Sequence, residues 1–464
     1  MSSTIKRNKY EIDMCNGTIM DKLISFSLPL MLSGILQLMF NAVDIIVIGR
    51  FSGSQSLAAV GSTTALINMF TNLFIGISLG ANVLSARFYA AGKDKEMSET
   101  VHTAITLALI SGIIMVFVGL IFAKPVLELM DTPDDVINLS TLYMRIYFMG
   151  MPFFMLYNYG ASILRAVGDT KRPLFYLIVA GIANAGLNMC LVIIFHLGVA
   201  GVAIGTVISQ LISSILVLRC LYQSETSYQL RFSKLKIQKE YLKQIFQVGI
   251  PAGIQSTVIN FSNVLLQSSV NSFGSIAMAG YTAANNIFGF LYVTVNAVTQ
   301  ACMSFTSQNY GVGKWKRMDR VLIDCLILSF VAMMILGNSA YFFGPKLLTI
   351  YTSNSKVIQC GMEILLYTTV TYFLCGFMDL FPGALRGMGR SGVPMILSII
   401  GTVGTRIVWI FWIFPNHRSL DILFISYPAS WIITIVLQVI CYYFVRKQLY
   451  AKMRAEHNNK QAVH

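Results

Sequence analysis

Apolar residues dominate this chain in twelve long runs, roughly 23–49, 57–84, 100–123, 137–162, 174–195, 199–221, 245–270, 277–305, 319–344, 359–384, 393–414 and 423–445. A bilayer core takes about 20 consecutive apolar residues as helix, and a tilted helix takes a few more. Each run therefore predicts one membrane-spanning helix. Lipid leaves backbone groups no partner but the helix itself, so the pattern predicts an all-α polytopic membrane protein. An even number of spans returns both termini to the same side. The first run is too long for a signal h-region and lacks a cleavage site, so it is read as a retained first span.

Composition strengthens this reading. Of 464 residues, 55% are hydrophobic and only 12% charged, and the mean hydropathy is +0.67. Soluble domains carry about 25% charged residues. The net charge of +14 could suggest nucleic acid, but the basic residues sit in short connections between apolar runs. There they report topology and contact with anionic lipid headgroups, so no nucleic-acid partner is expected. Within or beside the termini and every second connection lie 27 of the 34 Lys and Arg residues. The opposite connections hold Arg50, Lys124, Lys346, Lys356 and Arg418, while Arg145 and Arg406 fall inside runs. The positive-inside rule then makes both termini cytoplasmic in a cell membrane and places Glu128, Asp131, Asp134 and Asp135 outside. The eight cysteines are scattered with no C-x-x-C pair, which predicts buried free thiols and no zinc site.

The chain also repeats itself. Leu164-Arg-Ala-Val-Gly168-Asp-Thr-Lys-Arg-Pro173 matches Leu385-Arg-Gly-Met-Gly389-Arg-Ser-Gly-Val-Pro394 at an offset of 221. Tyr89-Ala-Ala-Gly92-Lys93 matches Tyr310-Gly-Val-Gly313-Lys314 at the same offset, and Leu28-Pro29 aligns with Ile250-Pro251 at 222. The predicted organisation is a six-helix lobe over 1–221, a cytoplasmic linker over 222–244, and a second six-helix lobe over 245–464 with a basic tail. Parallel repeats of this kind recur in transporters, with the substrate path in a central cleft between pseudo-symmetric lobes.

Ionisable residues inside spans are costly, at least ~2.5–3.5 kcal/mol for a carboxylate at the helix centre, so each is a candidate. Asp44 is the only formal charge in the first run, about four turns after Pro29. Paired with Arg50 it would be an interfacial acid. Facing a wet cavity it would bind and release a cation, the reading the rest of the chain favours. Asn184 and Asn188 share one helix face, four residues apart, while Thr206 with Ser209 and Asn158 lie on neighbouring runs. Amide and hydroxyl oxygens around one carboxylate suit Na+, with Asp44 as its anionic ligand, or a proton. Taken singly, each amide is better explained by interhelical hydrogen bonding.

The second half carries Asp379 opposite Asn158, and Arg406 a helix later could neutralise it, either as a structural ion pair or in transport. Gln255, Asn260, Asn263 and Gln267 could line a cavity there, and no acid occurs between Glu240 and Asp319. Asp379, Asn260 and Arg406 are thus expected as a second polar site. There is no G-x-x-x-x-G-K-[ST], and the five histidines are isolated, which excludes a nucleotide motor and argues against a catalytic or metal histidine. The Gly-Lys turns at 92–93 and 313–314 are read as helix closures on the cytoplasmic side.

The first run with Pro29, Asp44 and Gly49-Arg50, the repeated Leu-Arg-x-x-Gly-x-x-x-x-Pro, and Gly198-Val-Ala-Gly201-Val-Ala-Ile-Gly-Thr206 together resemble the multidrug and toxic compound extrusion (MATE) family over residues 18–447. The resemblance implies twelve helices in two lobes, a V-shaped cleft, and export of cationic or amphipathic drugs driven by Na+ or H+ entry. It maps an amino-lobe cation site onto Asp44, Asn158, Asn184 and Thr206, with bending of the first helix near Pro29. Asn188 stands where many members carry a second acid, and the helix 7 glutamate of members that use the carboxy lobe is missing, though Asp379 resembles their helix 10 acid. The implied protein is a monomeric antiporter of small organic cations, with membrane lipids around it and no cofactor beyond the coupling ion. The competing reading is a flippase for lipid-linked saccharide precursors, which would need several basic residues in its cavity. A polytopic enzyme would need a His/Asp/Glu cluster, which the sequence lacks.

Overall fold

The computed structural model describes residues 9–130 and 132–462, without the side chains of Ser54, Ala65 and 452–462. Asp131 of the acidic cluster and Lys6 and Arg7 of the basic N-terminus lie outside the described residues. All regular structure among the described residues is helical. The order is α1 (Met20–Phe51), α2 (Gly53–Ala90), α3 (Asp94–Leu129), α4 (Asp134–Met149), α5 (Met151–Ala166), α6 (Lys171–Asn188), α7 (Gly198–Tyr222) and α8 (Lys239–Asn271). It continues with α9 (Ser275–Gly311), α10 (Trp315–Phe342), α11 (Gly344–Leu348), α12 (Ser355–Thr369), α13 (Tyr372–Gly387), α14 (Gly392–Ser398), α15 (Thr405–Val408) and α16 (Leu420–Ala462). π-Helical turns extend α6 over Met189–Ile194 and flank α15 at Ile399–Gly404 and Trp409–Ile413.

Nine helices among the described residues are long and apolar enough to cross a membrane, or ten when α12 and α13, bent by 45°, count as one. The expected twelve are not all met by this measure. The run 137–162 folds as two 16-residue helices parted at Gly150, just before Pro152, whose missing N–H cannot continue the ladder. The run 245–270 lies in α8, where Gln255, Ser256, Asn260, Ser262, Asn263 and Gln267 lower its hydropathy. The expected linker is also shorter than 222–244, because helix resumes at Lys239. It is strapped to α3, the Arg231 N–H donating to His102 Nε2 (3.1 Å) and the Gln238 N–H to Thr103 Oγ1 (3.2 Å).

The chain forms two compact units. One comprises Met1–Met14 with Ile24–Gly253, the other Cys15–Leu23 with Ile254–His464. In the first unit, α2 and α8 approach to backbone contact. A Cβ on Gly76 would meet the Gly253 backbone, and one on Gly80 the Ile245 carbonyl. Reciprocally, one on Gly249 would meet Ile77, and one on Gly253 the Leu73 backbone. Two glycines four apart on each helix are the small-residue spacing that lets membrane helices close up where hydrophobicity no longer drives them together.

At its loop end this unit holds a polar cluster. Glu11 accepts hydrogen bonds from the Tyr89 and Tyr228 hydroxyls, both at 2.6 Å. Asp169, fully buried, pairs with Arg172, whose guanidinium lies over the Tyr10 ring at 5.4 Å. Burial pushes the Asp169 carboxyl above the usual carboxylate range, against the opposing pull of Arg172. Replacing Tyr228 by Phe removes one charge-assisted bond, so the thermal unfolding midpoint of the purified protein is expected to fall by the equivalent of about 1–3 kcal/mol.

In the second unit α9, α10, α12, α13 and α16 surround an aromatic column in which Tyr372 packs on Phe288 and Trp431, and Trp431 on Tyr427. The Gly313-Lys314 turn does close α9 against α10, and it does more. Lys314 binds the Cys15 carbonyl (2.9 Å) and Asn16 Oδ1 (2.7 Å), and Arg317 the Gly17 carbonyl (2.8 Å). All eight cysteines are free thiols, seven of them buried.

Candidate cation site

Asp44 lies in the last two turns of α1, 9% exposed. Among the described residues it has no basic partner, and Arg50 points to the surface instead. Pairing with Arg50 is therefore not what stabilises it. Its partners come from the two ends of one helix pair. The Asn188 amide donates to Oδ1 at 2.5 Å, and Thr206 Oγ1 stands 3.5 Å from Oδ2. The same Asn188 amide donates to Asn184 Oδ1 (3.3 Å), and Asn184 Nδ2 lies 3.5 Å from Thr206 Oγ1. Asn184 and Asn188 are one turn apart on α6, and Thr206 lies on α7, which packs along it.

Thr206 has a single hydroxyl proton, and the Val202 carbonyl at 3.0 Å is the better acceptor for it. An oxygen lone pair of Thr206 then faces the Asp44 carboxylate. Asn188 Oδ1 is also buried without a partner, held against the α7 backbone at Gly205, where a Cβ would displace it. Facing oxygens repel unless a proton or a cation sits between them. The donor set of one carboxylate, amide oxygens and a hydroxyl is hard oxygen throughout, which fits Na+ or H+. No group of three or more His, Cys, Asp or Glu residues that could hold another metal occurs among the described residues.

Among the described residues no hydrogen bond links Asn158 to this cluster. Its amide donates to the Phe154 carbonyl of its own helix at 2.8 Å. Two further residues of α4, Tyr143 and Tyr147, have phenols within electrostatic reach of the Asp44 carboxylate. Their spacing of four, matching Thr206 and Gln210 on α7, was the available signal. α1 itself is sparsely packed. No residue between Met31 and Val43 is buried, and Pro29 leaves the Ser25 carbonyl without its helical donor.

The expected second polar site is not assembled. Arg406 does not neutralise Asp379: it donates to Ser262 Oγ (2.8 Å) and Asn263 Oδ1 (2.7 Å) and stacks on Tyr427. Asp379 instead has Arg386, seven residues on along the same face of α13, as its cationic neighbour. Asn260 is exposed on α8 and takes no part in the Arg406 contacts with Ser262 and Asn263. Arg386 in turn binds Gln255 Oε1 at 2.7 Å.

Comparison with known proteins follows the same two-part pattern. The family model described as MatE matches residues 29–190 and 251–412, two segments of equal length. The probable multidrug resistance protein YoeA of Bacillus subtilis (strain 168) is 30% identical over 434 residues, covering 91% of this chain and 93% of that relative. The multidrug export protein MepA of Staphylococcus aureus (strain NCTC 8325 / PS 47) is 23% identical over 380 residues, 82% of this chain and 84% of that one. Among solved structures, an outward-facing multidrug resistance MATE family transporter of the MOP superfamily superposes with a TM-score of 0.88 at 20% identity, covering 97% of this chain and all of that one. At that identity the likeness concerns the fold.

Proposed function

Because this chain belongs to the MatE family of membrane transporters, we propose that it exports small cationic or amphipathic organic molecules across the cell membrane in exchange for Na+ or H+. The observation that carries this reading is Asp44: a buried carboxylate with no basic partner among the described residues, ringed by Asn184, Asn188 and Thr206. A charge in that position is retained at a cost, and binding a cation returns that cost. The names of the relatives, multidrug resistance and multidrug export, support the substrate class.

The mechanism we propose couples Asp44 to α1. The cation loads from outside onto the carboxylate and the α6–α7 oxygens. The segment between Pro29 and Asp44 has the least packing to lose on bending, so site occupancy at one end sets its shape. Alternation of that shape with loaded and unloaded Asp44 gives antiport, with drug released as the cation enters. Chemistry on the substrate plays no part, since family members are transporters. A saccharide-lipid flippase is disfavoured: of the two arginines inside apolar runs, Arg145 is exposed on α4 and Arg406 is engaged with Ser262 and Asn263.

Ethidium uptake into everted vesicles, where cellular efflux runs toward the lumen, tests the reading with a sodium gradient and a pH gradient imposed separately. One of the two gradients is expected to drive uptake; failure of both overturns it. In the same assay Asp379→Asn is expected to lose no more than about fivefold. Arg386 already stands as the cationic neighbour of Asp379, so a loss within about 1 kcal/mol is expected.

A further inference from the structure

Arg406 sits midway along the span Gly392–Asn416, 3% exposed. Nothing in the proposed transport cycle uses it. A guanidinium at membrane depth is expected to meet a carboxylate, yet no acid pairs with it among the described residues. Its Nη1 donates to Ser262 and Asn263, and its Nε–H is buried without a partner. The two phenols nearest to it, Tyr281 and Tyr427, are buried and share one hydrogen bond of 2.8 Å. That bond uses one phenol proton and leaves the other to donate elsewhere. Ser262 Oγ spends its own proton on the Ile259 carbonyl, and Asn263 Oδ1 is taken by the arginine, which leaves the Asn263 N–H2 free to donate.

This cluster therefore has more donors than acceptors and a fixed positive charge. α15, which carries Arg406, is only four residues long and lies between two π-helical turns. Such turns widen the helix and frequently mark functional sites. At the 222-residue separation of the two matched segments, Arg406 stands opposite Asn184 and Leu266 opposite Asp44. The duplication has thus kept a polar centre in each copy and reversed its sign.

We propose that Arg406, with the free N–H of Asn263 and a phenol O–H of Tyr281 or Tyr427, binds a small monovalent anion, a halide or a carboxylate the size of formate, and leaves no room for gluconate. The anion completes the charge balance of the second unit, and the cation site of the first unit does not depend on it. The guanidinium supplies the charge, and the neutral donors fix the ion beside it.

The test uses the full chain purified in nanodiscs, at constant sodium and ionic strength. Sodium gluconate is replaced stepwise by chloride in one series and by formate in another. The thermal unfolding midpoint is expected to rise and saturate in at least one series, and the effective series identifies the ion. Arg406→Gln is expected to remove the dependence, and Tyr281→Phe to raise the half-saturating concentration by about tenfold. Because Arg406→Gln could fail to fold, Tyr281→Phe serves as the independent variant. Iodide supplies a second readout: Trp431, ring-packed at 5.9 Å against the Tyr427 that Arg406 covers, should show a saturable quenching component that chloride competes away. Midpoints identical in gluconate, chloride and formate would overturn the proposal, as would a chloride dependence that survives in Arg406→Gln. These readouts need no transport, so they stand or fall apart from the antiport reading.

Discussion

Asp44→Asn is expected to abolish gradient-driven efflux, at least about 100-fold below wild type, while the protein inserts and folds normally. The substitution keeps the volume and planar shape of the side chain, so Asn188 and Thr206 keep a neighbour of the same size. What disappears is the negative charge. A unit charge about 4 Å from a cation is worth about 4 kcal/mol at an effective dielectric constant near 20, and each 1.4 kcal/mol is tenfold. No other carboxylate stands in this cluster to take over, because position 188 is an asparagine. Efflux is measured as uptake into everted vesicles and insertion by membrane-fraction yield with a thermal unfolding curve. Normal efflux by the variant would remove Asp44 from the mechanism, and a parallel loss of folding would make its role structural.

The second large effect falls on assembly. Gly76→Val is expected to prevent α8 from docking on α2 and to remove most of the folded protein. The added Cβ would occupy the space of the Gly253 backbone, and a backbone cannot rotate aside as a side chain can. Overpacking a tight site costs about 1–3 kcal/mol where neighbours can yield, and more where they cannot. Since Gly249 and Gly253 face Ile77 and Leu73 in the same seam, Gly249→Val should do the same from the other side. Monodisperse yield in size-exclusion chromatography checks both. Wild-type yield from either variant would mean that the seam can open without loss.

Much of this was legible in one dimension. The membrane filters residues by a single property, so twelve apolar runs, the loop bias of lysine and arginine and the repeat at 221–222 stood out without any knowledge of contacts. Two runs escaped the simple picture for local reasons: Gly150 and Pro152 break one, and polar residues dilute α8. Asp44 was visible because a charge in an apolar run is rare enough to be a signal alone. The glycine seam was equally open to reading, as Gly-x-x-x-Gly on two helices, but spacing does not say which helices meet.

An α-helical, internally duplicated membrane protein with an acid at Asp44 and an arginine at Arg406 inside its spans follows from the order of residues alone. What those charges face follows from the packing of the helices. Asn188 and Thr206, 144 and 162 residues from Asp44, were brought to it, while Asn158 turned to its own backbone. Arg406 was directed to Ser262 and Asn263 instead of Asp379. The physical reason is rotation: in lipid every face of an apolar helix is acceptable to the solvent, so packing against neighbours sets which side chains point inward.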